Sequence, residues 1–221
     1  VSCLVEQGIT TVIGGNCGFS PAPLTHTSRR TLSADFHLLS DRPLDYQWTS
    51  MAEFLNRLEI NRPMINIAQQ VGHGIVRLGH CGMSSATLSP GELAACREDI
   101  RRSLEAGACA VSFGLGYPPG MYSPLAEIES IFQTAADADK PVSIHLKALS
   151  RLSPTYPLTE LRPHNIRALK EILGIAERTG AKLQISHLIF VGRRSWPTAE
   201  RALALIEKAR TRSVDVMFDA F

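Results

Sequence analysis

Short apolar segments alternate with helix signals along this chain, and the alternation restricts its fold more than any other feature. Strands alternating with helices favour a parallel sheet, and unbroken apolar strands are typical of sheets buried on both faces. The pattern leaves both a doubly wound sheet and a (β/α)8 barrel open. Six segments rich in β-branched residues have the length of strands: 9–13, 64–71, 108–113, 142–145, 183–187 and 214–218.

The predicted helices have recognisable starts and stops. Ser89-Pro90-Gly91-Glu92 combines a capping box with proline at the first helical position, and Gly107 follows the last turn. Ser50 and Glu53 repeat the capping box. Apolar residues at helical spacing predict three further helices, after Ser123-Pro124, across 166–176 and from Pro197.

The length and the two ends bear on domain organisation. With 221 residues and 44% hydrophobic content, the chain has enough apolar residues for one full core, and we expect a single domain over 1–221. Its start has the pattern of a helix end closed by Gly8, and its last residues form a strand pattern. We therefore expect an incomplete barrel of about six βα units, truncated at both ends, from a longer protein.

Charge and cysteine content narrow the class of protein. The net charge is +2 and the basic residues are scattered, so nucleic-acid binding has no support. No apolar stretch approaches the roughly 20 residues that span a bilayer, and no signal peptide is visible, so we expect no membrane partner and a cytoplasmic location. Five cysteines without close-spaced pairs indicate free thiols, one of them a candidate metal ligand, rather than disulfides. The oligomeric state stays open.

Three side chains suited to metal binding follow predicted strands. Cys17 comes after the first strand, within Gly14-Gly15-Asn16-Cys17-Gly18, while His145 closes the fourth strand and His187 the fifth. Because ligands gather at the carboxyl ends of parallel strands, we expect these side chains to converge. One thiolate and two imidazoles make a three-ligand Zn²⁺ site with a position left for water, whose pKa falls toward 7. The alternative is structural: a small core cysteine and two hydrogen-bonded core histidines.

The glycine-rich segment 114–120 permits two interpretations. It follows a strand, as a phosphate-binding loop does, but its glycine spacing differs from the dinucleotide motif and two prolines remove backbone donors. We favour a rigid active-site loop in which the Tyr117 hydroxyl hydrogen-bonds a polarised carbonyl. The alternative is a tyrosine packed on its own prolines.

The remaining histidines have weaker signals. His73, in Gly72-His73-Gly74, is expected to be structural and bonded to the backbone. The others stand in polar or loop contexts and are expected to be solvated: His26, His37, His80 and His164.

Taken in order, these segments resemble the D-aminoacylase, or N-acyl-D-amino-acid deacylase, family of the amidohydrolase superfamily. The resemblance implies a metal-dependent (β/α)8 barrel in which Cys17, His145 and His187 bind zinc and Tyr117 helps to polarise the scissile carbonyl. The matching runs are Gly14-Gly15-Asn16-Cys17-Gly18-Phe19-Ser20, Val71-Gly72-His73-Gly74 with Arg77, Gly114-Leu115-Gly116-Tyr117, Ile144-His145-Leu146 and Ile185-Ser186-His187-Leu188.

The chain also departs from the family pattern. The family's His-x-His and its general-base aspartate have no counterpart in these residues, so we expect the isolated chain to be inactive. Lys147-Ala148-Leu149 replaces an arginine and a glutamate, and Ile189 replaces a substrate-binding lysine. Candidates for binding the substrate carboxylate are Lys147, Arg193 and Arg194. Asp219 matches an aspartate that we interpret as structural.

The resulting hypothesis is zinc-dependent hydrolysis of the amide bond of N-acyl-D-amino acids by metal-activated water, with a small molecule as the partner. Three alternatives remain: a cyclic-amide hydrolase such as a hydantoinase or dihydroorotase, a non-catalytic metal-binding truncated barrel, and a nucleotide-binding α/β domain. The sequence leaves the acyl group, the side chain and the stereochemistry open.

Overall fold

In a computed structural model that describes residues 2–35 and 45–220, all paired strands run parallel. These residues form seven strands: β1 (Thr11–Gly14), β2 (Asn66–Gln69), β3 (Val71–Gly72), β4 (Val111–Gly114), β5 (Val142–His145), β6 (Leu183–Ile185) and β7 (Val216–Phe218). All six predicted strand segments therefore contain strands, and the segment 64–71 is divided into β2 and β3.

Helices separate most of these strands. Within the described ranges they are α1 (Ser2–Glu6), α2 (His26–Asp35), α3 (Met51–Asn61), α4 (His73–Cys81), α5 (Pro90–Glu105), α6 (Leu125–Asp137), α7 (His164–Thr179) and α8 (Ala199–Arg210). None of them has the length and hydrophobicity needed to cross a bilayer.

β2 and β3 are consecutive segments of the chain that belong to different sheets, and together they connect the two sheets. β1 pairs with β2, and β3 begins a five-stranded sheet in the order β3-β4-β5-β6-β7. Only Gln70 separates β2 from β3, and its N–H donates to the Gly14 carbonyl at 2.9 Å. The next N–H, of Val71, donates to the Ala110 carbonyl at 2.9 Å. The chain therefore passes from one sheet to the other without a break, as expected for part of a barrel.

The apolar core lies between the five-stranded sheet and the helices outside it. All four residues of β4 are buried, with Val111 and Phe113 on one face and Ser112 on the other, which confirms that this strand is covered on both faces. The outer cover comes from the apolar faces of α5, α6 and α7, through residues such as Ile100 and Ile131.

The predicted helix signals are confirmed where the caps are explicit. Ser50 and Ser89 form complete capping boxes with Glu53 and Glu92 at the starts of α3 and α5. Gly180 ends α7 in the left-handed conformation, with φ 69°. Each feature gives a helix end the hydrogen-bond partner that its backbone lacks.

Two helices, α2 and α4, were not among the predictions. The start of α4 carries no capping signal, because its N-cap is Gly72, and its polar residues His73 and Arg77 are buried rather than solvated. α2 packs against α4 through a small cluster that includes Leu24, Leu32 and Ile75. Part of the chain that follows α2, including His37, lies outside the described residues.

A buried charged cluster joins α4 to α6. Glu127 Oε1 accepts hydrogen bonds from Arg77 Nε at 3.1 Å and Ser123 Oγ at 2.8 Å, and it contacts His73 Nε2 at 2.9 Å. Burial alone would raise the pKa of Glu127, but these hydrogen bonds and the Arg77 charge outweigh it and lower that pKa. His73, expected to bond the backbone, is thus structural through a side-chain partner, and its ring stacks on Phe113.

Replacing the buried carboxylate should destabilise the fold. Glu127→Gln leaves the fully buried Arg77 without its counter-charge, and we expect a loss of about 3 kcal/mol in the free energy of unfolding. Urea denaturation measures this loss in the free energy of unfolding. The control is Glu129→Gln on the same helix, which removes an exposed pair with Arg178 and should shift the midpoint far less. Equal shifts for the two variants would contradict the assignment.

Candidate metal centre

Three side chains meet at the carboxyl end of the sheet. Cys17 Sγ lies 3.8 Å from His187 Nε2, and His145 Nδ1 lies 2.6 Å from the same nitrogen. The ligand atoms of all three lie within 4.8 Å of one another. The structure therefore brings together Cys17, His145 and His187, close enough for one ion held by bonds of about 2.0–2.3 Å.

The backbone presents these side chains in two ways. His145 is the last residue of β5 and has an ordinary strand position. Cys17 and His187 lie beyond β1 and β6 with φ of 58° and 38°, in the left-handed region that non-glycine residues rarely adopt. The expectation that His187 ends a strand is thus wrong, because β6 stops at Ile185 and the chain turns. Each such residue costs about 1 kcal/mol or more, so surrounding contacts must hold it.

Hydrogen bonds from neighbouring elements hold the Cys17 turn. The N–H of Gly18 donates to Ser112 Oγ at 3.1 Å, and the Gly18 carbonyl accepts from the Ile75 N–H at 3.1 Å. The Tyr117 hydroxyl donates to the Cys17 carbonyl at 2.7 Å. The turn is therefore attached to β4, to the first turn of α4 and to the loop after β4.

Glycine makes this close approach possible. A Cβ at Gly114 would lie 2.2 Å from the Cys17 carbonyl oxygen, and a Cβ at Gly72 would lie 2.5 Å from the Gly18 carbonyl oxygen. Neither distance is compatible with a side chain. The glycines that end β3 and β4 thus leave room for the Cys17 turn.

Asp219 holds the turn that carries His187. Its Oδ1 accepts from the His187 N–H at 2.6 Å, and its Oδ2 accepts from Gln184 Nε2 at 2.8 Å. Its carbonyl also accepts from the Leu188 N–H at 2.7 Å. These contacts agree with the structural role expected for Asp219.

Burial favours the neutral forms of two of the three side chains. It lowers the pKa of His145 to about 4, with a further contribution from His187. Burial also raises the pKa of the Cys17 thiol; a hydrogen bond with Tyr117 opposes this and the Asp219 charge adds to it. A metal ion bound here would displace the thiol proton.

The donor set fits zinc. A thiolate and imidazole nitrogens are typical zinc ligands, whereas Mg²⁺ and Ca²⁺ prefer oxygen ligands. A neutral His145 offers a nitrogen lone pair without prior loss of a proton. The chemistry of these side chains therefore agrees with the ion expected from the sequence.

Tyr117 lies beside the three candidate ligands. Its ring stacks on Phe19 at 5.4 Å between centroids and lies 5.1 Å from the His145 ring. Its hydroxyl donates to the Cys17 carbonyl, not to its own prolines, so the prolines do not account for its position. Its expected role in carbonyl polarisation stays a prediction.

The candidate carboxylate-binding residues lie on the loops after β5 and β6. The Lys147 ammonium is half-buried and stands 5.7 Å from the centroid of the Tyr156 ring. Arg193 and Arg194 are exposed on the loop after β6. Their role in substrate binding stays a prediction.

Two of the histidines expected to be solvated differ from expectation. His80 is only partly exposed, and its Nε2 contacts Asp99 Oδ2 at 2.9 Å. His164, expected to be solvated, is fully buried at the start of α7, where its Nδ1 contacts the Ser153 backbone. A loop that folds back over the helix start covers it, because the His164 N–H donates to the Arg151 carbonyl at 2.9 Å. Local sequence context does not show such long-range cover.

Comparison with curated proteins identifies relatives along nearly the whole chain, although no protein-family profile matches it. The chain is 34% identical over 218 residues to an N-acyl-D-glutamate deacylase of Alcaligenes xylosoxydans xylosoxydans, which covers 98% of this chain and 41% of that protein. It is 30% identical over 217 residues to a D-aminoacylase of the same organism, with the same coverage. The chain thus spans about 41% of the length of these curated relatives.

Solved structures give the same result. The fold matches a crystal structure of N-acyl-D-glutamate deacylase from Bordetella bronchiseptica, complexed with zinc and a phosphonate inhibitor, with a TM-score of 0.85 and 31% identity over 98% of this chain and 42% of that one. A crystal structure of D-aminoacylase matches with a TM-score of 0.84 and 27% identity over the same shares. These matches confirm the family resemblance and the amidohydrolase barrel fold, present here in part.

Proposed function

We propose that this chain, which belongs to the D-aminoacylase family of the amidohydrolase superfamily, carries the tight zinc site of an enzyme that hydrolyses the amide bond of N-acyl-D-amino acids. One observation supports this more than any other. Cys17, His145 and His187, far apart in sequence, place their ligand atoms within 4.8 Å of one another where the strands end. Barrel enzymes have their active sites at this end of the strands.

The donor set identified above would hold the metal. When bound, Zn²⁺ supplies Lewis acidity that polarises a carbonyl and lowers the pKa of a water ligand. The protein's contribution is to fix the three ligand atoms, that of His145 at the end of β5 and those of Cys17 and His187 on turns that neighbouring elements hold. The half-buried setting also limits the access of bulk water to His145 and Cys17.

Tyr117 is the proposed hydrogen-bond donor to the substrate carbonyl. Its hydroxyl lies next to the Cys17 backbone, and its ring is fixed between Phe19 and His145. A phenol held in this way donates at neutral pH without reorientation of its ring, as electrostatic stabilisation of a developing negative charge requires. In the substrate complex the donor would exchange the Cys17 carbonyl for the substrate oxygen.

The substrate carboxylate requires a cation near the metal site, and this chain offers three. Lys147 follows His145 by two residues, while Arg193 and Arg194 follow His187 on the next loop. We propose that these cations bind the free carboxylate of the amino-acid part of the substrate.

Removal of the thiolate should abolish tight zinc retention. We expect Cys17→Ala to lose zinc on dialysis, since two imidazoles then remain of the three-ligand set. Elemental analysis of the purified protein measures the zinc content. The matched control is Cys109→Ala, a half-buried free thiol just before β4 at the opposite end of the strands. Undiminished zinc in Cys17→Ala would refute the ligand assignment.

The activity is tested with the full-length protein. With zinc bound, we expect it to release free amino acid from N-acetyl-D-amino acids with neutral and acidic side chains, and not from the L-enantiomers or from hydantoins. Chromatography of the released amino acids measures this. Turnover confined to hydantoins or dihydroorotate would identify the cyclic-amide hydrolase instead. A zinc-loaded protein that hydrolyses nothing in this panel would contradict the proposed activity.

A further inference from the structure

Asn16 lies directly before Cys17, and the sequence gives it no role beyond its place in the glycine-rich run. We propose that Asn16 is a positioning residue of the metal centre, whose side-chain carbonyl fixes the spacing of the strand ends that carry Cys17, His145 and His187. The inference rests on the proposed function, because it assigns the residue to the zinc site of that enzyme.

The contacts of Asn16 reach both histidine-bearing strands. Its Oδ1 accepts a hydrogen bond from Ser143 Oγ at 3.1 Å and another from Ser186 Oγ at 3.1 Å. Ser143 stands two residues before His145 and thus shares its face of β5. Ser186 stands directly before His187. One amide oxygen therefore connects the backbones on which all three candidate ligands stand.

The position of these bonds matters because of backbone strain. Cys17 and His187 are both in the left-handed region, and Asn16 and Ser186 are the residues that immediately precede them. The Ser186 N–H still follows the sheet ladder, since it donates to the Ile144 carbonyl at 3.0 Å. The bond between Asn16 and Ser186 thus joins the two chains just before each enters its strained turn.

The two serine links differ in strength. The Ser143 hydroxyl has one proton and lies between two acceptors, Asn16 Oδ1 and Gln70 Oε1. The Ser186 hydroxyl is almost fully buried, and it donates to Asn16 Oδ1. The Ser186 proton is therefore not shared with a second acceptor among the described residues, and the hydrogen bond to Ser186 is the one to remove in a test.

Loss of Asn16 should leave the fold intact. Its side chain is exposed, and the Cys17 turn keeps its contacts with Ser112, Ile75 and Tyr117. The backbone at Asn16 is not left-handed, so alanine can occupy it. The expected effect falls on the metal, because residues that orient metal ligands typically change affinity about 10-fold to 100-fold when they are replaced.

The first experiment compares two asparagines. We expect Asn16→Ala to weaken zinc binding at least about 10-fold in a chelator competition, while the protein stays folded with a thermal midpoint lowered only by the unpaired Ser186 hydroxyl. The control Asn66→Ala removes an exposed asparagine that also makes two side-chain hydrogen bonds, to Thr10 and Thr11, at the start of β2. It should bind zinc as the wild type does. Equal affinity of Asn16→Ala and wild type would overturn the proposal.

Cobalt provides a readout that a general loss of stability would not move. Co²⁺ bound in place of zinc reports its coordination geometry through its visible absorption bands. We expect Asn16→Ala to alter these bands, since the relative positions of thiolate and imidazoles change, and Asn66→Ala to leave them unchanged. A wild-type spectrum from folded Asn16→Ala would contradict the positioning role.

A double-mutant cycle tests whether Asn16 acts on the metal site through its hydrogen bond with Ser186. If it does, Ser186→Ala alone weakens zinc binding, and the double variant binds zinc only slightly more weakly than Ser186→Ala. Fully additive losses of zinc-binding free energy in the double variant would show that Asn16 does not act through Ser186.

The outcomes also separate the positioning role from the proposed function. If Cys17→Ala loses zinc while Asn16→Ala retains it, only the positioning role fails. If wild type itself binds no zinc, the proposed function fails first.

Discussion

The left-handed backbone at Cys17 and His187 is the constraint on which the candidate site depends. A parallel sheet brings strand ends to one edge, but it does not by itself aim two side chains from different strands at one point. Here each chain turns directly after its strand and points a ligand toward His145. The strain of these turns is balanced by a hydrogen bond from Tyr117 and by hydrogen bonds that Asp219, Ser112 and Asn16 accept.

This arrangement explains why small residues surround the site. The Cys17 turn lies against the backbone at the ends of β3 and β4, and the glycines there leave the room that it needs. The buried Arg77–Glu127 pair fixes α4, whose first turn donates a hydrogen bond to the same loop. The buried charged cluster thus contributes to the position of the Cys17 turn through α4.

Much of this could be predicted from the sequence, for physical reasons. The alternation of strands and helices, the capping boxes and the positions of Cys17, His145 and His187 at or just beyond strand ends are local signals, and the parallel topology brings these positions to a common location. Local sequence signals do not predict a feature whose structure depends on contacts with other parts of the chain. The helix α4 has no side-chain cap and buries its polar residues, His164 is covered by the loop that precedes α7, and the turn at His187 depends on Asp219. The link from Asn16 to Ser186 joins residues 170 positions apart.

The coordination of the bound ion tests the central claim most directly. X-ray absorption at the zinc edge of the loaded protein should show one sulfur at about 2.3 Å and nitrogen ligands at about 2.0–2.1 Å, since one thiolate and two imidazoles are expected to bind. A first shell of nitrogen and oxygen without sulfur would show that Cys17 does not bind the ion, and it would contradict this account of the site.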